Sequence, residues 1–236
     1  MAKSTKEYKA SYKTYPNDRI KQVLFHTKWM YPIYVQVTFD RTPIIFKSYY
    51  FDLFSHPKYS LRVAGRVYTP DIKEVIEQEE ALIAFIINKN ADDFSLDLFK
   101  KEYAYYCRDL LSLTEPGFIN YLYTFLHDEG LSSLADTIHH GAGICKTYDL
   151  IQDLRLALKE ARYKKLIDNS FYYATPYLAL NEFIRTPKLM QLPCYPVMQW
   201  EQPDSKENFI RFFQKHYPAH NPNNTVTQIE HFVNQA

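Results

Sequence analysis

The chain has 236 residues, enough for one large domain or two smaller ones, with ordinary shares of apolar and charged residues. Aromatics are abundant, at 21 Tyr and 16 Phe, whereas Gly is scarce at five, which argues against Gly-rich loops that cradle phosphates. The net charge of +1 conceals an asymmetry: residues 1–77 hold 13 Lys and Arg against 7 Asp and Glu, and residues 78–236 hold 15 against 20.

A basic front end on a near-neutral chain points to an anionic partner, of which nucleic acid is the commonest. Cys107, Cys145 and Cys194 are odd in number and far apart, which fits a reducing cytosol better than a disulfide framework. No apolar run is long enough to span a membrane, and the Lys- and Tyr-rich N-terminus predicts no secretory signal.

In chain order, residues 1–19 read as a flexible lead-in, closed by Tyr15-Pro16-Asn17-Asp18, with Lys3, Lys6, Lys9 and Lys13 solvated. Residues 20–28 are expected to form a first strand. From Tyr31 to Tyr50 the alternation is clean. Ile33, Val35, Val37 and Phe39 point one way, and Tyr34, Gln36 and Thr38 the other. After the Asp40-Arg41-Thr42-Pro43 break, Ile44, Phe46, Ser48 and Tyr50 oppose Ile45, Lys47 and Tyr49. The two runs predict a hairpin, and with residues 20–28 a three-stranded antiparallel sheet with one buried face. A loop with Pro57 and Gly65 follows.

Thr69-Pro70 predicts a helix start, and Ile72, Val75, Ile76, Leu82, Ile83, Ile86 and Ile87 keep helical spacing to about Asn88. Beyond this the chain reads as helical. Ser95 caps a helix bearing Phe99, Tyr103, Tyr106 and Leu110. Thr114-Glu-Pro-Gly117 reads as a break before the stripe Phe118, Ile119, Leu122, Phe125 and Leu126, which Gly130 stops. A short helix over Leu131–Ile138 precedes one long amphipathic segment, Tyr148–Ile167, and Pro176–Ile184 is a further helix. Residues 186–204 hold Pro187, Pro193, Pro196 and Pro203 and read as extended loop. Short helices near Ser205 and Thr225 end the chain. The fold class predicted is α+β: a small three-stranded antiparallel sheet with one helix, then a helical bundle. The boundaries are residues 20–90 for the sheet domain, 91–185 for the helical domain and 186–236 for an irregular tail.

One stretch resembles a known family. Asp153-Leu-Arg-Leu-Ala-Leu-Lys-Glu-Ala-Arg-Tyr-Lys-Lys-Leu-Ile-Asp-Asn-Ser-Phe171 follows Gly130-Leu-Ser-Ser-Leu. It is similar to the SAM-like core-binding domain of tyrosine recombinases, the phage-integrase family, with its L-R-x-x-L-x-x-A-x-x-x-x-L-I stretch followed by N-P-F. Leu154, Arg155, Leu158, Ala161, Leu166 and Ile167 fill those positions, and Asn169-Ser170-Phe171 replaces N-P-F. Asp93-Phe94-Ser95 resembles the entry into the same domain. The sheet of residues 20–50 is similar to the arm-type DNA-binding domain that precedes it in integrases of mobile elements. The resemblance implies a sheet that enters a DNA groove and a helical domain that clamps the duplex from the other side.

The family cuts DNA with a tyrosine supported by arginines, a lysine and a His-x-x-Arg element in a C-terminal domain. Here the residues after 184 are too few for that domain, and none of the eight histidines has Arg at the third following position. Phosphoryl transfer needs cations placed on the developing charge. The expectation is therefore the DNA-grasping half of an integrase without its chemistry: a non-catalytic, cytoplasmic DNA-binding protein with no cofactor. It would bind duplex DNA, with an integrase or another DNA-bound protein as a possible further partner. The alternative is a protein–protein interaction module that keeps the fold without DNA.

The candidate DNA contacts are Lys28 on the first strand, Gln36, Thr38 and Lys47 on the sheet, and Arg41 at the turn. A second group, Arg155, Lys159, Arg162 and Lys165, falls at offsets 0, 4, 7 and 10 and shares one helix face. An ordinary outer face paired to Asp153 and Glu160 is the competing reading. His139-His140 and His216-x-x-x-His220 invite a metal reading, but adjacent residues rarely share an ion and Pro218 breaks the helix that the second spacing needs. Asp92, Asp93, Asp97 and Glu102 read as partners of a helix start, and Glu77-Gln78-Glu79-Glu80 as a solvated helix face.

Overall fold

A computed structural model describes residues 9–63, 66–185 and 192–235. Residues 1–8 of the expected lead-in, Gly65 and Pro187 lie outside the described residues. The architecture is α+β, a small antiparallel sheet followed by a mostly helical region. The chain forms two compact units: one from residues up to His56 with Thr69–Cys107, the other from Pro57–Tyr68 with Arg108 onward.

The first unit holds β1 (Ser11–Pro16), β2 (Val23–Phe25), β3 (Lys28–Met30), β4 (Ile33–Phe39), β5 (Thr42–Lys47), α1 (Tyr49–Ser55), α2 (Ile72–Lys89) and α3 (Leu96–Tyr106). The three-stranded sheet has the order β1-β4-β5. This corrects the expected lead-in: residues 11–16 are an edge strand, pairing from Ser11 opposite Thr38 to Pro16 opposite Ile33. Residues 20–28 do not join the sheet. They hold β2 and the tip of a separate β2–β3 hairpin, inserted between β1 and β4 and closed at its base where Asn17 N donates to Pro32 O at 2.9 Å.

The β4–β5 hairpin follows the predicted register. Val35 and Val37 are fully buried, and the turn is two residues long, Asp40 and Arg41, both at positive φ (45° and 62°) as a type I′ turn requires. β5 stops at Lys47 rather than Tyr50, because Ser48 caps α1: its Oγ accepts from Phe51 N at 3.1 Å. α2 starts two residues later than predicted, since Asp71 accepts from Lys73 N at 2.9 Å and acts as the cap. Ser95 caps α3 as expected. Glu102 serves no helix start; it takes Lys89 Nζ at 2.7 Å and Asn90 Nδ2.

Glu79 overturns the reading of its acidic run as solvated. It is fully buried and accepts from Ser48 Oγ, Tyr50 N (3.3 Å) and Tyr103 OH. Around this network, Val35 and Val37 of β4 meet Phe51 and Phe54 of α1, Val75, Leu82, Ile83 and Ile86 of α2, and Phe99 of α3. Each such side chain, fully buried, contributes about 1.5–3 kcal/mol. The sheet has one helix-covered face and one open face.

The second unit holds β6 (Leu61–Val63), β7 (Arg66–Tyr68), α4 (Leu110–Asp128), α5 (Ser132–Gly141), α6 (Thr147–Ala157), α7 (Glu160–Tyr173), α8 (Tyr177–Ile184), α9 (Val197–Trp200), α10 (Ser205–His216) and α11 (Pro222–Asn234). α4 is its central element. It runs unbroken through Pro116, where a break was expected. Asp109 caps it, accepting from Leu111 N, Ser112 N and Ser112 Oγ. Gly117 is a close approach, not a break: a Cβ there would lie 2.3 Å from Thr175 Cγ2.

The expected irregular tail is part of this core. Trp200, Phe209, Phe213, Ile229 and Val233 are buried. Asp109 Oδ1 also accepts from Tyr195 N at 2.8 Å, and Val197 N donates to Arg108 O, so the C-terminal segment is stitched to the start of α4. No helix among the described residues is long and apolar enough to cross a membrane.

Candidate nucleic-acid interface

Strand pairing defines the open face of the sheet. Tyr34, Gln36 and Thr38 of β4 form its middle row, flanked by Tyr15, Lys13 and Ser11 on β1 and by Lys47, Ile45 and Pro43 on β5. Lys13, Ile45 and Lys47 are exposed, and the middle row is half-buried by its neighbours. The strands β1, β4 and β5 contain no carboxylate. Gln36 Nε2 donates to Thr38 Oγ1 at 3.3 Å, which orients the amide along the strand. Lys13 Nζ lies 5.0 Å from the Tyr15 ring centroid. Arg41 is exposed at the turn.

Lys47 has a partner, Asp52 of α1. Both side chains are well exposed, so the pair is weak and exchangeable for another anion. Lys28 lies off this face, in the β2–β3 hairpin, where it pairs opposite Phe25. Tyr49, expected on the strand, is the first residue of α1, and its N–H donates to Tyr103 OH at 3.1 Å.

The expected helix face of the second unit does not form. The segment is two helices, because Leu158 and Lys159 are extended (ψ 153° and 139°). Leu158 N closes α6 on Leu154 O, and Lys159 O opens α7 by accepting from Arg162 N and Tyr163 N. Arg155 therefore lies on α6, Lys159 is the residue that caps α7, and Arg162 and Lys165 lie on α7. Neither Asp153 nor Glu160 pairs with them. Glu129 does: Arg162 Nε donates to its Oε2 at 3.0 Å and Lys165 Nζ to its Oε1 at 2.5 Å. The Lys165 and Arg162 hydrogen bonds hold the Glu129 carboxyl below the usual range, so the three groups form a charge-paired cluster.

The histidine pairs follow their non-metal readings. His139 and His140 sit in the last turn of α5, and His220 lies beyond α10, stacked on Phe171 at 4.2 Å. Among the described residues no group of three or more His, Cys, Asp or Glu side chains is placed to hold a metal ion.

Reading by sequence missed β1, and with it Lys13 and Tyr15. The signal was there in Tyr12-Lys13-Thr14-Tyr15, a period-two alternation of aromatic and polar residues. Glu129 carried no such signal, since nothing in its neighbourhood on the chain marks contact with α7. Comparisons with protein-family models, with curated proteins and with solved structures found no match. The likeness to tyrosine recombinases rests on the quoted residues alone.

Proposed function

We propose that the protein binds duplex DNA, without acting on it chemically, through the open face of the β1-β4-β5 sheet. The observation that carries this reading is a carboxylate-free sheet face bearing Lys13, Lys47 and Gln36, with Arg41 at its end. Two inter-strand gaps of about 4.8 Å make the backbone ribbon about 10 Å across. The major groove is about 12 Å wide and admits a β-ribbon. Gln36 supplies the paired donor and acceptor that recognise adenine, while Lys13, Lys47 and Arg41 supply cations for phosphate or guanine. Arg162 and Lys165 are assigned no DNA contact, because Glu129 already neutralises them. A protein of this kind, seated on DNA beside an integrase, would regulate recombination by occupying its sites.

The test is titration of mixed-sequence duplex with the full chain at several salt concentrations, together with incubation on nicked duplex. Salt-sensitive binding and no covalent protein–DNA adduct are expected. An adduct abolished by one Tyr→Phe change would overturn the non-catalytic part.

One observation favours a second reading, a protein-interaction module. Ile45, at 55% exposure, places an apolar side chain in the flanking row of the same face. Under that reading Ile45→Ala abolishes partner binding, whereas charge removal at Lys13 and Lys47 has little effect.

A further inference from the structure

The β2–β3 hairpin has no role in the sheet and carries the most exposed large aromatic of the first unit after its own fashion: Trp29 is 68% exposed, and Leu24, directly opposite it in the ladder, is 51% exposed. The hairpin is held from its other face. Phe25 is buried and its ring lies 5.3 Å from that of Phe51. The turn between the strands is two residues, with His26 at φ 56°. A tryptophan and a leucine thus stand paired in solvent on an anchored, short-turned ribbon. A side chain kept only for the core does not need that arrangement, because Trp29 makes no ring contact among the described residues.

The surroundings of this pair are cationic. Arg19, Lys21 and Lys28 are exposed and make no ion pair among the described residues, and Asp18 is the one carboxylate in residues 17–32. A bare indole among unpaired cations matches a ligand that has flat π-faces joined by negative charges. Single-stranded nucleic acid has that chemistry: bases stack on aromatic side chains while a basic surface follows the backbone. A lipid surface or an apolar protein partner would use the Leu24–Trp29 pair but would have no stacking demand.

We propose that the β2–β3 hairpin is a second DNA contact, a stacking platform on which Trp29 takes an unstacked base of single-stranded DNA while Arg19, Lys21 and Lys28 meet its phosphates. It rests on the DNA reading of the sheet, since both describe one DNA-binding chain, but it concerns other residues and another form of DNA.

The chain supplies its own reporter. The other tryptophan, Trp200, is fully buried, and its Nε1 donates to Glu230 at 2.8 Å, so solvent-sensitive indole emission comes from Trp29. The experiment titrates the full chain with oligo(dT) and, separately, with duplex, following indole emission and affinity for wild type and Trp29→Ala. Oligo(dT) is expected to quench the exposed indole, and Trp29→Ala to weaken oligo(dT) binding by roughly 5- to 150-fold, the range for loss of one stacked base. Circular dichroism is expected to show the variant folded. Unchanged emission at saturating oligo(dT), or unchanged affinity in the variant, overturns the proposal. If wild type binds duplex but not oligo(dT), the hairpin proposal falls and the sheet reading stands; binding to neither removes both. If sedimentation shows a dimer that Trp29→Ala dissolves, a second copy of the chain is the occupant and the proposal is wrong.

Discussion

Lys13 of β1 stands directly across from Gln36 of β4 in the antiparallel ladder, so a cation and a bidentate amide are neighbours on the open sheet face. The two have separable jobs. Phosphate contacts position a protein on DNA and carry no sequence information, whereas base-edge contacts do. Gln36→Ala is expected to cost about 1–3 kcal/mol on a preferred site and less on random duplex. Lys13→Ala is expected to weaken binding to all sequences alike. Competition titrations with preferred and random duplexes separate the two patterns.

Arg162→Ala is expected to leave duplex affinity unchanged, because its guanidinium is already engaged by Glu129. A gel-shift comparison with wild type at low salt checks this. A loss of affinity as large as that from Lys13→Ala would show that α7 reaches DNA despite its carboxylate partner.

Glu79 gives the first unit a pH dependence. Burial, opposed by the Ser48, Tyr103 and Tyr50 hydrogen bonds, raises its folded pKa above the ordinary 4.5. The folded chain therefore holds a proton that the unfolded chain has released. Its contribution is full below about pH 4.5 and falls as pH rises through the folded value. Glu79→Gln removes this titration, so the difference in melting temperature between variant and wild type is expected to shift in the variant's favour as pH rises from 4 to 8. Glu79→Ala instead strands Ser48, Tyr50 N and Tyr103 OH and is expected to cost at least about 2 kcal/mol, at about 1–3 kcal/mol per unsatisfied group.

Gly117→Ala tests the close approach of α4 to Thr175. The new Cβ would lie 2.3 Å from Thr175 Cγ2, and overpacking of this kind costs roughly 1–3 kcal/mol. Thr175→Ser removes that methyl and keeps the hydroxyl that donates to Thr114 O. In the Thr175→Ser background the same Gly117→Ala change is expected to stabilise, approaching the helix-propensity gain of about 1 kcal/mol. Denaturant melts of the four proteins read the sign reversal.

What was legible in the chain follows from how local each signal is. Val35 and Val37 against Gln36 and Thr38 spell a half-buried strand within a few residues, and the turn residues Asp40 and Arg41 mark where it reverses. Ser95 announces α3 by a capping bond to a residue three positions on. The misses all depend on distant partners. β1 is a strand because β4 pairs with it, and its Lys13 looks like any other lysine of a basic tail. Glu79 sits in a run of acids, and only Ser48 and Tyr103, far away in sequence, make its burial tolerable. The break at Leu158–Lys159 contains neither Pro nor Gly, so helical periodicity runs across it unmarked. Pro116 misled in the opposite sense, reading as a stop inside a helix that Thr114, Thr175 and the surrounding core hold together. The candidate DNA face was half visible: β4 and β5 were there, while the pairing of Arg162 and Lys165 with Glu129 was not.

The most direct measurement is the affinity of the full chain for duplex DNA as a function of salt, for wild type and for the Lys13→Ala/Lys47→Ala double variant. Each neutralised phosphate contributes about 0.9 to the magnitude of the log–log slope. Wild type is expected to bind at low salt with a steep slope, and the double variant to bind more weakly with a slope smaller by about 1.8. Melting curves are expected to overlay to within about 1 kcal/mol, since only the exposed Lys47–Asp52 pair is lost. Absence of wild-type binding at low salt, or a double variant with the wild-type slope, would contradict the assignment of the sheet face to DNA.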